Sequence, residues 1–180
     1  MNINELLSTK ERIKILRQVL YKTGPLSVNK IASEAKLSKG LVSKLLKMLV
    51  KAGIARRAKS KLLVQDSLKT RAIKILLNLD SFDARVFAKY LFVVSAGLYG
   101  SMVKGKNSED SDIDLWVLVE DAKEEDLAKL TRELKAKHAN IMPLYLTKKK
   151  LEALKKEDTV FYHSLVFGSI TVYGEDLEAV

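Results

Sequence analysis

Two aspartates, Asp112 and Asp114, have the residue type and spacing of a metal site. They precede the apolar run 115–119, which is typical of a buried strand. Side chains alternate between the faces of a strand, so this spacing predicts both carboxylates on one face. Adjacent carboxylates beside a core are costly unless a cation neutralises them. Magnesium, which proteins bind through one or two carboxylates plus substrate phosphates, is the predicted cofactor, with manganese as its substitute.

A second motif, Gly100 followed by Ser101, ends another strand-like apolar run, and ten residues separate it from Asp112. A glycine lets the backbone pass close to a bound group, and a serine hydroxyl with nearby amides can hydrogen-bond the oxygens of an anion. Lys104 or Lys106, in the polar stretch that follows, could compensate the phosphate charge or could be solvated turn residues. Asp112 and Asp114 thus remain the candidates for a magnesium site that also takes substrate phosphates.

These motifs resemble the nucleotidyltransferase superfamily of DNA polymerase β, particularly its minimal form. The similarity covers about residues 90–175 and includes Ser111 and Leu115, which flank the two aspartates. It implies a small mixed sheet with flanking helices and transfer of a nucleoside monophosphate to an acceptor hydroxyl. It also implies catalytic and metal-binding roles for Asp112 and Asp114, and nucleotide binding by Gly100, Ser101 and Lys104.

The sequence departs from this family at two places. Active members carry a third carboxylate on a later strand, but the matching stretch, 139–146, contains no Asp or Glu. The family turn Gly-Ser-Arg-Ala-Arg-Gly has become Gly-Ser-Met-Val-Lys-Gly, with Met102 in place of the first arginine. Two functions therefore stay open: a nucleotidyltransferase, or a DNA-binding regulator whose second domain senses a nucleotide or serves as an interaction module after losing activity.

Positive charge is concentrated in the first third of the chain. Residues 1–66 contain 15 Lys and Arg against 4 Asp and Glu, a net charge of +11, whereas residues 67–180 contain 17 against 18. A strongly basic region beside a neutral one favours a polyanionic partner, of which the phosphate backbone of duplex DNA is the commonest. A solubilising lysine-rich surface is the alternative interpretation.

Helical periodicity predicts helices over 3–21, 28–35 and 39–51, followed by two short strands around a turn at Lys59 and Ser60. About residues 5–66 resemble a winged helix-turn-helix, chiefly through the stretch 31–49. In that fold the third helix enters the major groove and the wing lies along the backbone or minor groove. The implied DNA contacts are Ser38, Lys39, Ser43, Lys44, Lys47 and Lys51 on the third helix, and Arg56, Arg57, Lys59 and Lys61 on the wing. A winged helix used for protein contact is the alternative.

The predicted fold is α+β, with a winged helix-turn-helix at 1–66, a helical connector at 67–90 and a nucleotidyltransferase-like domain at 91–180. The connector could join the domains or form a homodimer interface.

No apolar run is long enough to span a bilayer. The chain contains no cysteine, which excludes disulfides and thiolate metal sites and favours a cytoplasmic protein. Trp116 could line the metal site, although packing in the core is favoured.

Overall fold

The computed structural model describes residues 3–59 and 61–179, so Ser60 of the predicted turn lies outside the described residues. Two compact units are present. The first comprises Met1–Leu77 and Gly105–Asp110, and the second comprises Asn78–Lys104 and Ser111–Val180. Within the described residues, no helix is long and apolar enough to cross a membrane.

Within the described residues, the first unit contains four helices, a hairpin, the first part of a fifth helix and the segment 105–110. Thr9 divides the helix predicted over 3–21, because its side chain accepts a hydrogen bond from the Arg12 amide and starts a new helix. The next two helices begin at the predicted serine caps: Ser27 accepts from the Lys30 amide and Ser38 from the Leu41 amide. The elements are α1 (Ile3–Leu6), α2 (Lys10–Val19), α3 (Val28–Ala35), α4 (Lys39–Lys51), β1 (Ala55–Ala58) and β2 (Lys61–Val64).

The core of this unit is continuous from the helices to the hairpin. Ala35 on α3 and Leu45 on α4 are almost completely buried, as the helical periodicity predicts. β1 and β2 pair antiparallel, with Arg57 opposite Leu62. Leu26, before α3, adds a bridge to the hairpin by donating its amide to the Leu62 carbonyl at 2.7 Å. The first unit thus has the helices and wing of the predicted winged helix-turn-helix.

α5 (Leu68–Ser81) follows the hairpin, and a 3-10 helix (Ala84–Lys89) follows α5. Both lie in the region predicted as a connector. α5 contributes Ile73 and Leu77 to the core of the first unit. The contact division falls within this helix, after Leu77, so α5 contributes residues to both units.

The second unit is a four-stranded mixed sheet with flanking helices, as predicted. Its strands are β3 (Val93–Leu98), β4 (Ile113–Val119), β5 (Ile141–Leu146) and β6 (Ile170–Tyr173), in the order β5-β4-β3-β6. β3 is antiparallel to β4 and β6, and β5 is parallel to β4. The helices are α6 (Glu124–Lys137), α7 (Lys148–Glu157) and α8 (Thr159–Val166), and a 3-10 helix spans Leu177–Ala179.

The sheet separates two apolar clusters. Leu115 and Val117 of β4 belong to the cluster that contains Leu134 of α6. Trp116 alternates with them and belongs to the cluster that contains Leu165 of α8. Its side chain is fully buried, so Trp116 packs in the core. Gly97 lies opposite it on β3, where a Cβ atom would overlap the indole ring.

Candidate functional site

The Gly100–Ser101 turn lies directly against Asp114. Gly100 adopts a φ of 67°, a conformation that glycine tolerates far better than other residues. A Cβ atom at this position would overlap the Asp114 carboxylate. The backbone amide of Ser101 donates a hydrogen bond to that carboxylate. Two motifs that ten residues separate in the sequence therefore meet, and glycine is the residue that leaves room for the contact.

Ionisation of Asp114 is unfavourable in the folded protein, and a bound cation would favour it. Burial raises the pKa of its carboxyl group, the nearby charge of Asp112 raises the pKa further, and the Ser101 amide opposes both effects. Asp112 is exposed and immediately precedes β4, whereas Asp114 is half-buried within it. A group that resists ionisation beside a second carboxylate is stabilised when a positive charge binds between them.

Tyr99 is a neighbour of the site that sequence reasoning missed. Its amide donates to the Asp114 carbonyl at 3.0 Å, and its ring centroid lies 6.2 Å from that of Phe161 on α8. Burial raises the pKa of its hydroxyl, and the Asp114 charge adds to this effect. The only sequence signal was its position directly before Gly100. Tyr99 connects the backbone next to the turn with the core under α8.

The parallel pairing of β4 with β5 identifies the position opposite Asp114. Met142 is the register partner of Asp114, and its side chain is 55% exposed. Ile141 is fully buried in the cluster on the opposite face. A carboxylate on β5 that belonged to the Asp112 and Asp114 site would therefore stand at position 142, where this chain has an apolar thioether.

The donor set fits a magnesium ion that also has phosphate ligands. Asp112 and Asp114 supply two carboxylates, and Gly100 keeps the backbone beside Asp114 free of a side chain. Among residues 3–59 and 61–179, no group of three or more His, Cys, Asp or Glu is arranged to hold a metal. Two carboxylates plus substrate oxygens are a usual magnesium donor set. Lys104 lies in the same turn, directly before Gly105, and its side chain is exposed.

The residues predicted to contact DNA lie on α4 and the hairpin of the first unit. Ser38 uses its hydroxyl as the cap of α4, and Ser43 is half-buried. The basic residues are exposed, and we call them the basic surface: Lys39, Lys44, Lys47 and Lys51 of α4, with Arg56, Arg57, Lys59 and Lys61 of the hairpin region.

The fold brings part of the basic surface together around one groove. Lys47 and Lys51 of α4 and Arg57 of β1 line a cavity of about 400 Å³, together with Ser43. Its apolar lining residues are Val28, Leu46, Val50 and Leu62. Helix and wing therefore present their cations around a shared depression, an arrangement that the sequence pattern alone does not establish.

Two family models match this chain. Residues 9–57 match the family model described as bacterial regulatory protein, arsR family. A chain from a solved structure entitled "Crystal structure of the toxin-antitoxin with AMP-PNP" is 19% identical, with a TM-score of 0.36, over 62% of this chain and 77% of that one. The search of curated proteins found no significant match. Residues 84–178 match the family model described as polymerase beta, nucleotidyltransferase, which is more than half of the chain. As its motifs predict, the chain belongs to the polymerase beta nucleotidyltransferase family, with a regulator-type helix-turn-helix before that domain.

Proposed function

We propose that this protein binds duplex DNA through its winged helix and a magnesium nucleoside triphosphate through its nucleotidyltransferase domain. The observation that carries the nucleotide proposal is the contact of the Gly100–Ser101 turn with Asp114. Ser101 supplies a backbone amide and a hydroxyl, the usual donors to phosphate oxygens, next to the glycine that contacts Asp114, and a bound cation would favour the ionised form of that carboxylate.

Each residue of the site has a distinct role in this proposal. Gly100 gives the triphosphate access to the backbone, and the Ser101 hydroxyl donates to a phosphate oxygen. Asp112 and Asp114 hold the metal, and Lys104 adds a positive charge at the edge of the turn. A bound magnesium ion supplies positive charge to the phosphate oxygens and lowers the pKa of an acceptor hydroxyl.

Met142 favours a second candidate function for the same domain. With a thioether opposite Asp114, the site has no carboxylate on β5 that could take the proton of an acceptor hydroxyl. General-base assistance is worth about 10² to 10⁴ in rate. We therefore expect weak or undetectable nucleotide transfer, and we propose that the domain acts as a nucleotide sensor or interaction module of a DNA-binding regulator.

Calorimetry with Mg-ATP tests nucleotide binding. The variant Asp112→Asn/Asp114→Asn should lose metal-dependent binding, because no carboxylate remains to hold the cation. Glu152→Gln/Glu157→Gln on α7 is the matched control, since it removes the same charge from exposed positions of that unit. Mg-ATP affinity that is unchanged in the aspartate variant would remove the site assignment.

An assay with labelled triphosphates separates the two candidate functions. The unmodified protein is incubated with radiolabelled nucleoside triphosphates, magnesium or manganese, and protein or nucleic-acid acceptors. We expect nucleotide binding without efficient transfer. Robust turnover would show that the protein obtains a base elsewhere and would contradict the sensor proposal.

A further inference from the structure

The segment Gly105–Asp110 belongs to one unit by its contacts and to the other by its sequence position. It lies between the Gly100–Ser101 turn and Asp112, within the nucleotidyltransferase motif. Its contacts nevertheless group it with the winged-helix unit. We call this segment the motif loop. Its position raises the question of what holds it there.

Lys74 of α5 makes a buried contact with the motif loop. Its side chain is only 7% exposed, and its Nζ donates a hydrogen bond to the Asn107 carbonyl. The same Nζ lies 5.2 Å from the centroid of the Tyr21 ring, within the range of a cation–π interaction. Burial lowers the pKa of Lys74, and the charge of Asp66 opposes this. A buried ammonium group is costly without partners, and here they are the loop carbonyl and an aromatic face.

Gly105 brings the loop backbone onto the same helix. It adopts a φ of 61°, and a Cβ atom at this position would overlap the Arg71 carbonyl. Arg71 is one turn before Lys74, and its guanidinium donates to the Asp66 carboxylate at 2.6 Å. At Gly105 the loop backbone therefore packs directly against the backbone of α5.

The residues that follow α2 hold the other end of the motif loop. The Glu109 amide donates to the Tyr21 carbonyl at 3.2 Å, and the Lys22 Nζ donates to the Glu109 carboxylate at 2.8 Å. This hydrogen bond is the main cause of the raised pKa of Lys22. Elements of the winged-helix unit thus hold both the start and the end of the loop.

The same helix also holds the turn that precedes the loop. Asn78, in the part of α5 assigned to the second unit, donates its Nδ2 to the Met102 carbonyl at 2.8 Å. Asn78 lies one turn after Lys74. Successive turns of α5 therefore hold Asn107 and Met102, which lie on either side of Lys104.

We infer that Lys74 is a positioning residue that ties the motif loop to the winged-helix unit and thereby couples nucleotide binding to DNA binding. This inference rests on the proposed function. Nucleotide binding at Gly100, Ser101, Asp112 and Asp114 would constrain the loop from its two ends, and the winged-helix unit holds it from α5 and from the residues after α2. Coupling between two sites is reciprocal, so each ligand must change the affinity of the other by the same factor.

The test compares Lys74→Met with the unmodified protein. Methionine retains the length and packing of the lysine side chain but removes the donor and the charge. Lys69→Met, at an exposed position of α5, is the matched control. Hydrogen exchange reports on the amides of 105–110. Titrations of a labelled mixed-sequence duplex with and without Mg-ATP, and of Mg-ATP with and without the duplex, give the coupling factor in both directions.

We expect exchange in the loop to become about tenfold faster in Lys74→Met because local opening costs less free energy there. The unmodified protein and Lys69→Met should show the same coupling factor in both directions, of at least about fivefold. Lys74→Met should reduce that factor to near one while its winged helix still binds DNA. If Lys74 only stabilised the fold, its replacement would lower stability but would leave the coupling factor between nucleotide and DNA unchanged. If Lys74→Met does not fold, the same measurements are made on Gly105→Ala, which disturbs the contact between the loop and α5 from the loop and should have the same effects.

Four results would each overturn the inference or the proposed function on which it rests. Coupling that persists in Lys74→Met overturns it, as does an unmodified protein that binds both ligands independently. Loop exchange that is unchanged in Lys74→Met overturns the positioning role whether or not a nucleotide binds. If the unmodified protein binds no Mg-ATP, the proposed function fails and the coupling fails with it, while the exchange data still report on Lys74.

Discussion

The basic surface and the Gly100–Ser101 turn differ in what they are made of. The basic surface consists of exposed side chains on α4 and the hairpin. The turn depends on backbone: a glycine with a positive φ, an amide that donates to Asp114, and no space for a Cβ atom. Exposed cations act through summed charge, so each contributes a part. A close backbone contact, in contrast, can be broken by a single substitution that adds one methyl group.

The largest effect should come from restoring a carboxylate opposite Asp114. Met142→Asp places it at the register partner of Asp114, and we expect metal-dependent nucleotide transfer to rise by about 10² to 10⁴. Ile141→Asp is the control one residue away, and it should give no gain, because it places a charge in the buried cluster. Transfer assays with labelled triphosphate measure both. A gain in Ile141→Asp alone would show that the assigned register is wrong for the site.

Salt should have the next largest effect, on DNA binding. If about six phosphates are contacted, the log–log slope of affinity against salt should be roughly −5, and affinity should fall about 10³-fold from 50 to 200 mM salt. Fluorescence anisotropy with a labelled duplex measures the slope. A slope near zero would contradict phosphate contact, and equal binding by a fragment comprising 91–180 would place DNA binding elsewhere.

Removing two cations should reduce that slope in proportion. Lys47→Ala/Lys51→Ala should make the slope less steep by about two, one for each lost phosphate contact. Lys129→Ala/Lys135→Ala on α6 removes the same charge from exposed positions of the other unit and should leave the slope unchanged. Equal losses in both variants would mean that only net charge matters.

Two glycine substitutions test the backbone side of the comparison. Gly100→Ala should weaken Mg-ATP binding about tenfold, since the methyl group meets the Asp114 carboxylate and the φ of 67° is unfavourable for alanine. Gly40→Ala in α4 is the matched control, because nothing lies within 4 Å of its added Cβ and alanine favours a helix. Calorimetry should show unchanged Mg-ATP affinity in the control. Full affinity in Gly100→Ala would show that the turn relaxes freely.

The smallest effect should be on stability. The pKa of Asp114 is raised in the folded state, so its ionisation disfavours folding, and the stabilisation by its neutral form is lost as pH rises through the folded pKa. Asp114→Asn should therefore raise Tm at neutral pH, by roughly 1 to 3 °C for a fraction of a kcal/mol. The difference should shrink as pH falls toward 3.8, the ordinary value. Thermal melts of Asp112→Asn, an exposed position, should show a smaller change.

The sequence predicted the helix starts and ends correctly where neighbouring residues determine them. Ser27 and Ser38 cap α3 and α4, and both helices end where their periodicity stops. The helix over 3–21 was wrong in one respect, because its apolar spacing continues past Thr9, whose cap interrupts it. Here a single side-chain hydrogen bond overrode a periodic pattern.

Pairings between distant segments could not be predicted in the same way. Alternation along β5 shows that Ile141 and Met142 point to opposite faces, but only the register with β4 shows which one meets Asp114. The Leu26 bridge to the hairpin and the Lys74 contact with Asn107 are likewise contacts between segments far apart in sequence. Such contacts depend on the folded arrangement, which has no periodic signature.

Trp116, packed where Gly97 leaves space for its indole ring, also makes the protein spectroscopically selective. It is the only tryptophan in the sequence, it is fully buried, and among the described residues its indole nitrogen has no hydrogen-bond partner. Its emission should therefore be shifted to short wavelength in the folded protein and move to long wavelength when the sheet opens. Excitation at the red edge of the absorption band would report melting of the nucleotidyltransferase domain alone. Far-ultraviolet circular dichroism would report the helices of both units. The difference between the two melting curves would show whether the domains unfold together.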